Sequence, residues 1–342
     1  MKAMVLTKVC NLNQNKEPLT FVELPQPEPK ENEILIKVAA CGVCHTELDE
    51  IEGRTPPSFF PIVPGHQIVG NIVKLSKTAA RFKIGDRVGI AWINSCCGIC
   101  EFCLSDKENL CPDFKATGRD VNGGYAEYIS IREDFAYRIP DIFSDTEAAP
   151  LLCAGAIGYR SLKLTGIVDG QNLGLTGFGA SAHLVIKIAK HLYPNSKIFV
   201  FARSKKERNF AKELGAYWSG DIDSQSTSKL HCIIDTTPVW KPIISSLKNL
   251  TANGRLVINA IRKEEIDKSS LLSLDYPSCL WLEKEIKSVA NVTRNDVSNF
   301  LKLASEIHIK PEVQEYPLKE ANTALIELKE RKIRGAKVLK II

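Results

Sequence analysis

The segment NLGLTGFGASAHLVIKIAKHL, residues 172–192, constrains the fold of this chain more than any other. It reads as a short apolar strand, a glycine-rich turn and a helix. In the pattern G-x-G-x-x-G/A, the first glycine turns the chain, the second admits a pyrophosphate, and the third small residue lets helix and strand pack closely. The helix N-terminus then faces the phosphates. The segment predicts a Rossmann dinucleotide-binding domain, with cofactor-binding residues Gly177, Gly179, Ala180, Ser181 and Ala182.

The end of the following strand, in KIFVFARSKKER, indicates which dinucleotide is favoured. An acidic residue at this point would hydrogen-bond the adenosine ribose of NAD. This chain has Ala202 followed by Arg203, Ser204 and Lys205, and a guanidinium can stack on adenine and pair with a 2′-phosphate. We therefore expect these residues to bind the cofactor and to favour NADP over NAD. The alternative is that the basic run is only the solvated start of the next helix, as we expect for Arg208.

Two different patterns divide the chain. Up to about residue 150, short β-like runs alternate with Gly, Pro and charged breaks, which is typical of a mostly β domain. Beyond it, strands alternate with helices, which is typical of βαβ units on a parallel sheet. We predict an α/β chain with a β domain and a doubly wound parallel sheet, whose strands are Leu173–Thr176, Ile198–Phe201, Cys232–Ile234, Arg255–Asn259 and Ile286–Ala290.

Length and composition exclude several classes of protein. At 342 residues the chain exceeds what one hydrophobic core usually organises, so two domains are expected. No window of 18 consecutive apolar residues is present, which argues against a membrane span. The first residues, MKAMVLTKVC, lack the features of a signal peptide, and we expect a cytoplasmic location. A formal charge of +5 is too small to favour nucleic-acid binding.

Five of the eleven cysteines lie in NSCCGICEFCLSDKENLC, residues 94–111. Disulfides are rare in a reducing compartment, so this cluster favours metal binding. Four protein ligands leave no open position on zinc, which makes such a site structural rather than catalytic. Cys96 fits the spacing less well and is interpreted as a spare thiol. The predicted structural zinc ligands, spaced C-x2-C-x2-C-x7-C, are Cys97, Cys100, Cys103 and Cys111.

A second set of candidate metal ligands comes from three separate segments. Cys44 stands in CGVCHTE, His66 in PGHQ and Cys153 in PLLCAGAIGYR. Spacing alone does not join them, because a buried cysteine often serves as a small apolar residue and a lone histidine often serves as a hydrogen-bonded turn residue. These two interpretations remain open on the residues alone.

The motifs CGVCHT, PGHQIVG, NGGYAEY, PLLCAGAIGYRSL and GFGASAH, together with the four-cysteine loop, resemble the medium-chain zinc-dependent alcohol dehydrogenases in order and separation. The resemblance covers essentially the whole chain. It implies a GroES-like catalytic domain (1–152) with both zinc sites, a Rossmann NAD(P)-binding domain (153–290) and a C-terminal return to the catalytic domain (291–342). It also implies that Thr236 lines the cofactor site, and that the catalytic zinc ligands are Cys44, His66 and Cys153.

The resemblance implies hydride transfer between a small alcohol and NAD(P), or the reverse reduction of an aldehyde. Zinc would lower the pKa of the bound alcohol so that an alkoxide forms near neutral pH, while the cofactor carries the hydride. Two zinc ions per chain and a homodimer or homotetramer are expected. The alternatives are a polyol or sugar dehydrogenase of the same fold and a non-catalytic zinc-binding relative.

The resemblance also implies roles for the residues that follow Cys44. Thr46 would begin a proton relay, His45 would approach the cofactor pyrophosphate, and Glu47 would orient the zinc-binding histidine. The usual outer histidine of the relay falls on Asp49, a weak base at neutral pH, so the proton is expected to pass to water. Gln67 stands where the family usually has glutamate, which removes a negative charge from behind the zinc.

Overall fold

The computed structural model describes residues 1–332 and 334–341. It divides into two compact units, one comprising Met1–Ala156 with Val292–Ile342 and the other Ile157–Asn291. Both units mix strands and helices, so the predicted α/β class is confirmed. No helix within the described residues is long and apolar enough to cross a bilayer.

The first part of the first unit is mostly β-structure, as its sequence pattern predicts. Its helices are α1 (His45–Ile51), α2 (Glu101–Leu104) and α3 (Asp145–Pro150), and α3 runs into a π-helical turn at Leu151–Gly155. Its strands are β1 (Lys2–Leu6), β2 (Leu19–Glu23), β3 (Glu33–Val43), β4 (Ile68–Leu75), β5 (Arg87–Ile90), β6 (Ile93–Ser95), β7 (Lys115–Ala116), β8 (Tyr128–Arg132) and β9 (Ala136–Arg138).

The long strand β3 organises the core of this unit. Ile34, Ile36 and Val38 are fully buried, because alternate side chains of a strand point to the same face. They belong to one apolar cluster that also contains Ile72 and Ile129 from the strands paired on either side. Each fully buried aliphatic side chain contributes about 1.5–3 kcal/mol, so β3 and β4 form a rigid support for the residues that follow them.

The second unit is a parallel sheet with helices between its strands. Its sheet order is β12-β11-β10-β13-β14-β15, the doubly wound order of a Rossmann domain, so that prediction is also confirmed. The elements are α4 (Ala156–Thr165), β10 (Leu173–Thr176), α5 (Ala180–Leu192), β11 (Ile198–Phe201), α6 (Lys205–Glu213), β12 (Trp218–Gly220), β13 (Leu230–Asp235), α7 (Lys241–Asn249), β14 (Leu250–Ile258), α8 (Tyr276–Cys279) and β15 (Glu285–Ser288).

The end of the chain completes the first unit with α9 (Arg294–Glu306), β16 (Val313–Pro317), α10 (Ala321–Lys329) and β17 (Ala336–Lys340). Strand β17 pairs antiparallel with β3, which gives the order β16-β17-β3-β4-β5-β9 with β8 also on β3. Lys337 of β17 is fully buried, and its ammonium lies 2.7 Å from the Glu327 carboxylate. Lys337 is opposite Val43 in the pairing of β17 with β3, so β17 supports the backbone just before Cys44.

Candidate metal centres and cofactor turn

Three donor atoms from separate segments converge in the first unit. The Sγ atom of Cys44 lies 3.6 Å from Nε2 of His66, and the same nitrogen lies 3.3 Å from Sγ of Cys153. All three atoms lie within 4.8 Å of one another. We call Cys44, His66 and Cys153 the three-donor site. Three protein ligands of this kind suit a zinc ion that keeps one coordination position open.

Local structure brings the three donors together. Cys44 is the N-cap of α1, directly after β3, and its thiol accepts a hydrogen bond from the backbone N–H of Thr46 at 3.4 Å. His66 precedes β4, the strand that pairs with β3. Cys153 lies in the π-helical turn after α3, and such single turns occur frequently at functional sites. Pairing of the two strands therefore aligns the first two donors, and the turn adds the third.

Glu47 holds the geometry of this site. Its Oε2 accepts the backbone N–H of Cys44 at 2.8 Å, and its Oε1 lies 2.6 Å from Nδ1 of His66. Both carboxylate and imidazole are buried. A proton on Nδ1 would face this carboxylate and leave the lone pair of Nε2 for a metal ion, which is how a carboxylate orients a metal-binding histidine.

Without a cation, Cys44 and His66 of the three-donor site favour their protonated forms. A hydrogen bond with Cys153 and burial raise the pKa of the Cys44 thiol well above its ordinary value. Burial alone would lower the pKa of His66, but Glu47 and Cys44 raise it well above its ordinary value. Metal binding requires the deprotonated forms of both ligand types, so the charge of a cation would reverse both tendencies. The donor set present therefore suits zinc.

Gln67 is packed against the backbone of β3. Its side chain is buried, and a Cβ atom added at Gly42 would lie 2.7 Å from Gln67 Oε1. The backbone N–H of Gly42 also donates to the carbonyl of Gln67 at 2.9 Å. Only glycine leaves room at position 42, so the Gln67 side chain is fixed directly after the metal-binding histidine.

Glu50 is a residue that sequence reasoning missed. It is 1% exposed, and neither carboxylate oxygen has a hydrogen-bond partner among the described residues. Burial and the nearby Glu47 charge raise the pKa of Glu50 well above its ordinary value, although His66 and Arg119 oppose the shift. The available signal was the spacing Glu47-x-x-Glu50, which puts both carboxyl groups on one face of a helix.

The predicted relay residues have different surroundings. Thr46 is half-buried and His45 is exposed. Asp49 is buried, and its Oδ1 lies 2.6 Å from both Nε and Nη2 of Arg54. The Asp49 carboxylate is therefore held in an ion pair with Arg54.

The four predicted structural ligands also converge. Sγ of Cys97 lies 3.8 Å from that of Cys103 and 3.5 Å from that of Cys111, and Cys100 lies 3.5 Å from Cys103. All four sulfur atoms lie within 4.8 Å of one another, and none forms a disulfide. Four thiols in this spacing suit a closed tetrahedral zinc site. We call these residues the four-cysteine site; Cys96 is outside it and packs against the apolar core.

Backbone amides of the loop prepare the four-cysteine site for a cation. The N–H groups of Ile99 and Cys100 lower the pKa of Cys97 to about 6, whereas burial raises the pKa values of Cys103 and Cys111. The N–H of Cys97 in turn donates to the sulfur of Cys111 at 3.5 Å. Strands β6 and β7 pair antiparallel at the base of the loop and close it.

The glycine-rich turn of the second unit has the geometry that a dinucleotide needs. Gly177 has φ of +79°, and a Cβ there would lie 2.7 Å from Oγ1 of Thr236, so glycine is required. No atom lies within 4 Å of a Cβ added at Gly179, the N-cap of α5. Among the residues that the structure describes, no side chain caps this helix at Gly179, so its N-terminus suits an anion. Ala182 is fully buried, as helix–strand packing requires.

Other predicted cofactor residues lie around this turn or after β11. Thr236 donates through Oγ1 to the carbonyl of Thr176 at 3.0 Å and so lies beside Gly177. Ser181 lies in the first turn of α5, 3.3 Å from Asn259 Nδ2. Arg203, Ser204 and Lys205 are exposed after β11, and Ser204 caps α6 by accepting the N–H of Glu207.

The prediction that Arg208 is only a solvated helix residue is wrong. Its side chain is half-buried, and Nη1 donates to the carbonyls of Ala202 and Arg203 at 2.7 and 2.8 Å. It also pairs with Asp221 at 3.1 Å. Arg208 therefore fixes the backbone from which Arg203 projects, because its guanidinium offers several N–H donors in a rigid arrangement.

A buried ion pair at the end of β13 was also missed. Asp235 is fully buried and pairs with Lys263, whose ammonium also donates to the carbonyl of Thr237 at 2.7 Å. Burial raises the pKa of Asp235 although Lys263 opposes the shift. The sequence signal for this ion pair is Asp235 itself, an acidic residue at the end of the apolar run LHCIID. This pair fixes the loop next to Thr236.

Comparisons with known proteins agree with this arrangement. The family described as alcohol dehydrogenase GroES-like domain matches residues 30–141. A probable alcohol dehydrogenase of Mycobacterium tuberculosis is 39% identical over 329 residues, covering 95% of this chain and 93% of that protein. An alcohol dehydrogenase of Geobacillus stearothermophilus is 33% identical over 343 residues, covering 98% and 99%.

Solved structures share the fold over the full length. An NAD-dependent alcohol dehydrogenase superposes with a TM-score of 0.90 at 24% identity, covering all of both chains. The Helicobacter pylori CAD complexed with NADP(H) superposes with a TM-score of 0.86 at 22% identity, covering 99% of this chain and 97% of the other. With the sequence relatives above, these matches show that the chain belongs to the medium-chain alcohol dehydrogenase family.

Proposed function

We propose that the chain is a zinc-dependent alcohol dehydrogenase, or equivalently an aldehyde reductase, that transfers a hydride between a small alcohol and NADP. One observation carries the proposal. Two cysteines and one histidine from three distant segments converge within 4.8 Å, and a buried carboxylate orients the histidine. Core packing does not require this combination, because buried charged and polar groups are costly unless they serve each other or a ligand.

The three-donor site would hold the catalytic zinc. When bound, zinc supplies Lewis-acid polarisation of the substrate oxygen, and the nicotinamide cofactor supplies the hydride acceptor. Cys44 and Cys153 would contribute two negative charges, and His66 a neutral nitrogen. Glu47 keeps that imidazole in one tautomer and one orientation. The four-cysteine site would hold a second zinc that orders its loop.

The proton released from the alcohol must leave through residues of this chain. The Thr46 hydroxyl, half-buried at the start of α1, is the hydroxyl group closest to Cys44 in sequence. Asp49 is committed to Arg54, so we propose that the proton passes from Thr46 to water at the exposed His45 side of the helix. Thr46→Val should lower kcat by about 10²-fold or more, whereas Thr46→Ser should retain most of it, because general acid–base steps contribute about 10²–10⁴-fold.

The cofactor would bind at Gly177 and Gly179, with its pyrophosphate at the N-terminus of α5. Arg203 and Lys205 would bind the 2′-phosphate of NADP, which favours that cofactor because no acidic residue directly follows β11. A value of kcat/KM that is higher with NAD than with NADP would contradict this choice.

A panel of primary alcohols, aldehydes and polyols, assayed with both cofactors by absorbance of the reduced nicotinamide, tests the function. Turnover of a simple alcohol or aldehyde supports the proposal. A kcat/KM at least tenfold higher for polyols or sugars would favour the polyol dehydrogenase alternative. No turnover by protein that carries two zinc ions would favour the non-catalytic alternative.

A further inference from the structure

Helix α9 connects the loop of the four-cysteine site with the turn that carries Cys153. Both ends of this connection lie in the first unit. The N-terminus of α9 contacts the loop between Cys103 and Cys111, and the middle of α9 contacts the π-helical turn Leu151–Gly155. The two candidate metal sites are therefore linked through one helix.

The first junction is formed by Glu108, which lies in the short helical turn directly before Cys111. Glu108 is 1% exposed, and its Oε1 accepts the backbone N–H of Arg294 at 2.5 Å and lies 3.3 Å from its Nε. The carbonyl of Glu108 accepts the N–H of Cys111 at 3.1 Å. Glu108 thus contacts the backbone of Cys111 through its carbonyl and the first residue of α9 through its carboxylate.

Arg294 is fixed in this position by further contacts. Its guanidinium lies 5.1 Å over the ring of Phe135 and 3.4 Å from the carboxylate of Asp134. The preceding residue, Thr293, caps α9 by accepting the N–H of Asp296 in a reciprocal capping box. A negative charge next to the first N–H groups also stabilises a helix N-terminus. Glu108 therefore adds a contact from the cysteine loop to a helix start that Thr293 already caps.

The second junction is formed by Phe300, which is fully buried. A Cβ atom added at Gly155 would lie 2.3 Å from Cε1 of Phe300, so the ring lies directly against the backbone of the π-helical turn. Gly155 is two residues from Cys153. Because close-packed interiors transmit displacement rather than absorb it, a shift of α9 displaces this turn.

We propose that Glu108 and Arg294 are positioning residues for Cys153, so that the four-cysteine site stabilises metal binding at the three-donor site through α9. The loop, closed by its own metal, holds Glu108. Glu108 binds the first residue of α9, and Phe300 packs against the turn that carries Cys153. The inference rests on the proposed metal sites but not on the proposed reaction.

Zinc release tests this coupling without any substrate. Zinc-loaded protein is mixed with excess 4-(2-pyridylazo)resorcinol, and zinc release is followed by the absorbance of the zinc–indicator complex. Cys44→Ser identifies the phase that belongs to the three-donor site, because that variant lacks it. We expect Glu108→Ala to accelerate this phase about tenfold or more, as removal of a residue that supports metal ligands typically costs 10–100-fold in affinity. Glu108→Gln, which keeps an acceptor for the Arg294 amide, should accelerate it less.

Gly155→Ala tests the second junction independently of the cysteine loop. It should accelerate the three-donor phase and leave release from the four-cysteine site unchanged. Glu285→Ala is the matched control, since it removes a two-point contact of a carboxylate with Arg255 in the other unit. It should change neither phase. If Glu108→Ala and Gly155→Ala keep native far-UV circular dichroism and leave the three-donor phase at the wild-type rate, the proposal is wrong.

Discussion

Glu50 offers a quantitative test of the electrostatics around the three-donor site. Its carboxyl group is 1% exposed, has no hydrogen-bond partner among the described residues, and lies in the field of Glu47 and Asp120 as well as His66 and Arg119. A buried polar group without a partner costs about 1–3 kcal/mol, and more when it is charged. Glu50→Gln keeps an uncharged polar group of the same size and removes only the charge, so it should stabilise the metal-free protein at neutral pH by the extra cost of burying the charged form, on the order of 1–3 kcal/mol.

The sign of the pH dependence follows from the raised pKa of Glu50. The folded protein holds this proton more tightly than the unfolded chain, so the charge of Glu50 costs nothing below the ordinary carboxyl pKa near 4.5. The cost then grows as the pH rises towards the folded-state pKa. Thermal unfolding of the metal-free proteins between pH 5 and pH 8 measures it. The melting temperature of Glu50→Gln should exceed that of wild type by about 2–4 °C for each kcal/mol, with the gap widening as the pH rises.

Glu52 provides the control from the end of the same helix. Its carboxylate contacts Lys329 and Arg54, which lower its pKa although burial opposes the shift. Glu52→Gln should therefore destabilise the protein at neutral pH, and the loss should shrink as the pH falls through the folded-state pKa. A Glu50→Gln variant that melts below wild type, or whose gain does not change with pH, would refute the reasoning.

Three further predictions concern the proposed sites. Glu47→Gln should weaken zinc binding at the three-donor site about 10–100-fold, measured by competition with a chelator, and unchanged affinity would show that Glu47 does not orient His66. Cys100→Ala should lose one zinc and lower the melting temperature before it changes the hydride step, and unaltered stability would contradict a structural role. Arg203→Ala should reduce the ratio of kcat/KM for NADP to that for NAD about tenfold, because a charged hydrogen bond is worth about 1.5–3 kcal/mol; an unchanged ratio would exclude Arg203 from the 2′-phosphate site.

The parallel sheet could be predicted closely from the sequence. Strands β10 and β11 begin and end where expected, because Gly177 and Ala202–Ser204 mark sharp changes of pattern. Strand β12, Trp218–Gly220, was missed because three residues after a helix carry too little periodicity. Strand β14 begins at Leu250, five residues earlier than predicted, because Thr251–Gly254 are polar or small.

The sequence alone indicated the two candidate metal sites to different extents. The four cysteines share one loop, so their spacing alone indicated a common ion. Cys44, His66 and Cys153 could be joined only by family resemblance, since strand pairing and a π-helical turn bring them together. The roles of Glu50 and Arg208 depend on what surrounds each side chain in space, which no local pattern records.

Several expectations stay predictions. These are the homodimeric or homotetrameric state, the cytoplasmic location, the preference for NADP and the absence of a nucleic-acid or membrane partner. Each depends on a surface or a partner rather than on the packing of this chain.

Zinc content and turnover of wild type and Cys44→Ser, measured on the same preparations, test the central claim most directly. We predict two zinc ions per chain in wild type, one for each cluster of donors, and one in Cys44→Ser with hydride transfer lost. The four-cysteine site should retain the remaining zinc, so Cys44→Ser should still fold. Two zinc ions in Cys44→Ser, or undiminished turnover by that variant, would contradict the assignment of the three-donor site as the catalytic centre.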